Sequence, residues 1–155
     1  MGDSTLLRYE PVSPVVQKGT MMTTHARGTF DVTMTPQPPD DTVDNVPVGR
    51  MSLAKQFHGD LDATSTGQML AVGTAVDGSA GYVAVEQVTG TLHGHSGAFA
   101  LQHSGTMTRG TPQLAVTVVP DSGTAQLVGL VGTLTIDIVD GQHMYDFAYM
   151  LPASP

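Results

Sequence analysis

VEQVTGTLHGHSGAFALQHSG, Val85 to Gly105, holds two apolar runs on either side of a His-Gly-His-Ser turn. Apolar and polar residues alternate with a period of two in both runs, the signature of half-buried β-strands. Each strand nevertheless carries one ionisable residue among its hydrophobes, Glu86 in the first and His103 in the second. A turn at Gly94-His95, or one using all four residues, has the same centre and sets Glu86 directly opposite His103. Their Cβ atoms are then expected roughly 4.5–5.5 Å apart on one face of the sheet.

Neighbouring hairpins extend the pattern. Asp77-Gly78 is a type I′ signal that places Met69 opposite Glu86, Ala71 opposite Ala84 and Gly73 opposite Tyr82. Arg109-Gly110 places Leu114 opposite Gly105, Val116 opposite His103 and Val118 opposite Leu101. The three turns agree in parity: one face collects Met69, Tyr82, Val88, Phe99, Leu101, Met107, Leu114, Val116 and Val118, and the other collects Gln and Thr. The first face is the buried one, so Glu86 and His103 point inward. A fourth hairpin at Asp140-Gly141 sets Ile136 opposite Tyr145 and Leu134 opposite Phe147, with Tyr149 on the same face. Glycines opposite aromatics, Gly73 with Tyr82 and Gly90 with Phe99, suit a closed antiparallel barrel of eight strands joined as a meander.

Composition agrees with an all-β chain. The 155 residues include 18 Gly and 10 Pro and are only 13% charged, a mixture for short strands and frequent turns. With a net charge of −8 and six Lys and Arg there is no basic stripe for nucleic acid and little attraction to an anionic membrane. Cysteine is absent, which removes disulfide and thiolate chemistry. No apolar run approaches the roughly 18 residues of a membrane span. The first twenty residues lack the basic start and apolar core of a signal peptide, so the sequence reads as cytoplasmic.

Residues 1–24, with Pro11 and Pro14 and no sustained alternation, read as an N-terminal extension, and 25–155 as a single barrel domain. Phe30, Val32 and Met34 share one face of the first strand. The stretch PQPPDDTVDNVP, residues 36–47, reads as a loop. In the second strand Met51, Leu53, Lys55 and Phe57 share a face. The Gly-Thr dipeptide recurs eight times at irregular spacing, which makes it strand punctuation rather than a solenoid repeat.

Four segments, ARGTFDVTM, GRMSLAKQFHGDLDATSTGQML, GYVAVEQVTGTLHGHSGAFALQHSG and VVPDSGTAQLVGLVGTLTI, resemble a bacterial family catalogued as domain of unknown function 3224, over Ala26 to about Leu151. Its members look like allene oxide cyclase barrels, and SGTAQLVGLVG is similar to a glycine-rich stretch of that cyclase and of dirigent proteins. The resemblance implies an eight-stranded barrel, an apolar lumen and frequent homo-oligomerisation. It does not settle function, because one barrel shape hosts unrelated activities.

Glu86 and His103 inside an apolar lumen are candidates for general acid–base work. Burial raises a carboxyl pKa and a carboxylate favours a charged imidazole, so the two can share a proton near neutral pH. Such a site suits isomerisation, cyclisation or elimination of a small hydrophobic ligand and needs no cofactor. The competing reading is a buried ion pair that only fixes register. Lys55 reads as snorkelling to the barrel mouth, with neutralising Glu86 or orienting a ligand carbonyl as its other uses. Met69, Tyr82, Phe99, Leu101, Tyr145 and Phe147 complete the expected ligand-binding wall. Tyr149 also points inward.

His93 and His95 belong to the turn, far along the strand from His103, and do not read as a metal site. His58 and His143 read as surface or strand-end residues. The nine methionines favour an adaptable lumen. No nucleophile elbow, P-loop or dinucleotide fingerprint is present. Besides catalysis, the sequence supports a carrier with the same pocket, or an interaction module whose outer face, with Val83, Val85 and Ala100, packs on a twin subunit.

Overall fold

Residues 21–38 and 48–153 are described by the computed structural model. The alternation of the sequence becomes β1 (Thr24–Pro36), β2 (Val48–Gly59), β3 (Leu61–Gly73), β4 (Ala80–Leu92), β5 (His95–Thr108), β6 (Thr111–Val118), β7 (Val131–Val139) and β8 (Gln142–Met150), with one 3₁₀ turn at Ala125–Leu127. Every strand pairs with its sequence neighbour, and β1 pairs with β8 to close the barrel. Among the described residues, no helix is long and apolar enough to cross a membrane. The extension expected over 1–24 and the loop expected over 36–47 fall largely outside the described residues.

Tight turns set the ladder. His93-Gly94, Arg109-Gly110 and Asp140-Gly141 each place both central residues at positive φ, the type I′ geometry whose twist matches the flanking strands. The Arg109-Gly110 and Asp140-Gly141 hairpins have the expected registers, with Val116 opposite His103 and Ile136 opposite Tyr145.

The other two registers differ from expectation by two residues. The β4–β5 turn is His93-Gly94, not Gly94-His95, so Glu86 faces Leu101, His103 faces Ala84, and Gly90 faces Gly97 rather than Phe99. His93 takes the left-handed position because the fold holds it there: its N–H donates to the Asp60 carbonyl at 2.9 Å, and its Nδ1 meets the Tyr149 hydroxyl at 2.5 Å. Between β3 and β4 the connection is six residues, Thr74–Ser79, drawn together by the Thr74 hydroxyl donating to the Ser79 carbonyl. Gly67 therefore faces Glu86, Ala71 faces Tyr82 and Gly73 faces Ala80. A slip of two preserves the side-chain parity of a strand, so the inward face is unchanged.

Among the described residues, the barrel is filled at one end only. Where β2 meets β3 and β4 meets β5, the lumen is packed by Phe57, Leu61, Leu92, Phe99, Phe147 and Tyr149. The segment between β6 and β7 runs along β5, with Ala98 and Ala100 N–H donating to the Thr124 and Ser122 hydroxyls, and it adds Leu127 and Leu130 to that core. Toward the opposite end, at the β3–β4, β5–β6 and β7–β8 hairpins, the wall loses its filling. Met107 and Leu114, expected in the core, share its parity but are 43% and 44% exposed at this rim. On the outside of β4, Val83 and Val85 are exposed.

Candidate functional site

Glu86 lies at the boundary between the packed and open halves. One of its oxygens, Oε2, receives two cationic or hydrogen-bonding partners: Lys55 Nζ at 2.8 Å and His103 Nε2 at 3.1 Å. Glu86, His103 and Lys55 are 1%, 3% and 8% exposed, so all three are removed from bulk water. The acid and imidazole meet as the sequence suggests, but diagonally across β4 and β5 rather than face to face.

Lys55 does not snorkel. It belongs to β2, two strands from Glu86, and the intervening β3 presents Ser65 and Gly67 at its inward positions. These small residues open the path along which the lysine reaches Glu86. A Cβ on Gly67 would stand 2.7 Å from the Glu86 Cβ and 2.4 Å from the Val85 carbonyl oxygen, so glycine is required where Glu86 crosses. The ammonium also lies over the Phe30 ring, 4.9 Å from its centroid, a favourable cation–π position.

Two donors outweigh desolvation at the carboxylate. Burial alone pushes the Glu86 pKa up, but the His103 hydrogen bond and the Lys55 charge hold it below the ordinary range. The expectation of a raised carboxyl is thus reversed, because the His103 hydrogen bond, and then the charge of a Lys55 that stays at Glu86 rather than at the mouth, outweigh burial. Tyr82 nearby has its phenol pushed up by burial and then by the Glu86 charge. Two buried polar atoms at this level, Glu86 Oε1 and Ser65 Oγ, have no hydrogen-bond partner among the described residues.

A lowered acid pKa carries a stability consequence. The unfolded chain protonates Glu86 near its ordinary value of 4.5, whereas the folded chain resists protonation until lower pH. The contribution is fully present above that value and is lost as pH falls through the folded pKa. Urea midpoints measured in steps of pH should stay level from neutrality to about pH 5 and then fall. The double variant Lys55→Met/Glu86→Gln should show a shallower fall.

Above this floor lies a cavity of about 320 Å³ lined by Lys55, His103, Tyr82 and His143 and by apolar side chains including Phe30, Leu53, Met69 and Ile136. Met69, Tyr82, Leu114 and Ile138 also line a second hollow of about 420 Å³ nearer the hairpins, so the two adjoin. The Tyr82 ring rests on Gly105, where a Cβ would come within 2.3 Å of it. A larger hollow of about 510 Å³ lies on the outer wall among Thr33, Thr35, Ser52 and Thr66. It contains no buried charged group; the buried ionisable groups Lys55, Glu86 and His103 all face the lumen.

Of the expected wall, Met69 and Tyr82 line the cavity, while Phe99, Leu101, Tyr145 and Phe147 do not. Those four fill the closed half, because their strand positions lie nearer the β2–β3 and β4–β5 turns. The Tyr145 hydroxyl is used structurally, donating to the His58 carbonyl at 2.8 Å and accepting from Leu61 N–H at 3.0 Å. His143, a half-buried residue at the start of β8 in keeping with the strand-end reading, also lines the cavity and packs on Phe30 with centroids 5.0 Å apart. Its parity with Tyr145 and Phe147 was the available signal. His93 is tied to Tyr149, and His95 Nδ1 lies 3.2 Å from the Leu92 carbonyl oxygen. Among the described residues, no group of three or more His, Asp or Glu forms a metal-binding cluster.

Residues 26–149 match the family described as "Protein of unknown function (DUF3224)". The chain is also similar to a crystal structure of a protein with unknown function from the DUF3224 family of Shewanella oneidensis MR-1. The identity is 48% and the TM-score 0.80, over 86% of this chain and 100% of that one. No curated protein matches the chain.

Proposed function

The chain belongs to the DUF3224 family, and we propose that its half-filled barrel binds a small apolar molecule with one polar head group and moves a proton on it. The observation that carries this reading is an imidazole lining an apolar cavity while a buried carboxylate holds one of its nitrogens. An ionised Glu86 makes Nε2 the donor, which leaves Nδ1 of a neutral His103 as the basic nitrogen. His103 is then the proton carrier, Glu86 its orienting partner, and Lys55 a cation for the oxygen of the head group, where charge develops when a neighbouring C–H is ionised. These steps use only the chain's own side chains. The apolar walls bind the rest of the molecule and keep water from the floor.

Cyclohexanone and octan-2-one serve as probes, since each joins an apolar body to a carbonyl with exchangeable α-protons. In D₂O the protein should accelerate α-proton exchange, followed by proton NMR, and His103→Asn should slow the catalysed part by roughly a hundredfold or more. Displacement of the fluorophore N-phenyl-1-naphthylamine by the same ketones should be little changed in that variant. Ketone binding without accelerated exchange would identify a carrier and overturn the catalytic reading.

A further inference from the structure

We infer that Lys55 captures small apolar aldehydes or ketones covalently, as an iminium formed on Nζ, an inference that rests on the ligand cavity proposed above. Lys55 lines that cavity, and its Nζ shares one carboxylate oxygen with the imidazole that would move the protons. A lysine serving only as a counter-ion has no need to face a ligand space. This one does so beside a proton carrier.

The chemistry balances without any added reagent. Nζ first gives a proton to His103, and its freed electron pair bonds to the carbonyl carbon while the C–O π pair moves to oxygen. That oxygen takes the proton back from His103. A second N–H proton follows the same route to the hydroxyl, the C–O bond breaks to release water, and the nitrogen pair closes the C=N bond. An ammonium and a carbonyl have become an iminium and water, and His103 ends neutral as it began. Nζ carries the positive charge both at the start, as the ammonium, and at the end, as the iminium, so the Glu86 contact that holds the one holds the other equally well. Glu86 therefore does not oppose the reaction at equilibrium, as it would if the product were neutral.

The surroundings fit the tetrahedral species on the way. Ser65 stands directly across the β2–β3 ladder from Lys55, and its buried hydroxyl has no partner among the described residues; Glu86 Oε1 is likewise unpartnered. A hydroxyl on the carbon bonded to Nζ is both donor and acceptor and can engage such groups, which are costly when left alone. An iminium also acidifies the neighbouring C–H, which is the proton that His103 is proposed to remove.

The sequence makes the test clean, because the chain has two lysines, Lys18 and Lys55. The full-length protein is incubated with hexanal and sodium cyanoborohydride, and peptide mass spectrometry follows alkylation at Lys55, at Lys18 and at the N-terminal amine. Alkylation of Lys55 should saturate with hexanal, exceed that at the other two amines by roughly a hundredfold through proximity and orientation, and be suppressed by N-phenyl-1-naphthylamine. His103→Asn should slow it by roughly a hundredfold while hexanal still displaces the fluorophore. Labelling of Lys18 and the N-terminus with Lys55 untouched, while hexanal displaces the fluorophore, overturns covalent capture and leaves the binding reading standing. Failure of hexanal and of both ketones to displace a bound fluorophore removes both. The wild-type measurement decides the matter without any variant.

Discussion

Glu86→Gln is expected to destabilise the protein by roughly 3–5 kcal/mol, because it strands the Lys55 ammonium in a site that excludes water. The carboxylate is the only negative group paired with Lys55 among the described residues, and the lysine side chain is 6% exposed. Removing its charge leaves desolvation unopposed. The paired change Lys55→Met/Glu86→Gln should recover most of the loss, since replacing a buried ion pair by apolar groups is often neutral or stabilising. Denaturant unfolding of the four proteins in this cycle measures the coupling directly. A Glu86→Gln protein as stable as the parent would mean that Lys55 finds water, and the closed floor would not exist.

Phe147→Ala should cost a comparable amount, roughly 3–5 kcal/mol, by emptying the closed half of the barrel. Phe147 is fully buried; its ring stacks on Phe99 with centroids 5.8 Å apart and meets Tyr149 at 5.4 Å. Gly132 leaves room for it, as a Cβ there would be 2.8 Å from the ring. Ile138→Ala is the contrasting change, because Ile138 lines the open half and is 66% exposed. Its effect on the urea midpoint should be within about 0.5 kcal/mol, with the loss appearing in fluorophore affinity instead. Equal destabilisation by both would deny the division into a packed half and an open one.

That division marks the limit of what the sequence made legible. Alternation identified the strands, the turn residues identified the hairpins, and parity placed Glu86, His103 and Lys55 inside. Parity tells inside from outside but not one end of the lumen from the other. Hence Phe99, Leu101, Tyr145 and Phe147 joined Met69 and Tyr82 in one expected wall, although they lie at different depths. Register was harder still. The His93-Gly94 turn puts a left-handed histidine where sequence preference favours Gly, Asn or Asp, and its reason lies in Asp60 and Tyr149, distant in the chain. Of the uses open to Lys55, neutralising Glu86 is the one the fold adopts, and snorkelling fails although a lysine beside a barrel mouth ordinarily reaches water. The clue against it was the pair of small inward residues on the next strand, Ser65 and Gly67, whose meaning depends on knowing that Glu86 lies beyond them.

Chemical-shift mapping on the isotopically labelled protein during titration with octan-2-one tests the open, charged-floored cup most directly. Saturable shifts should centre on Met69, Tyr82, His103, Leu114, Ile136 and His143, with Phe99, Leu127 and Phe147 nearly still. Shifts confined to the outer wall, or none that saturate, would contradict it.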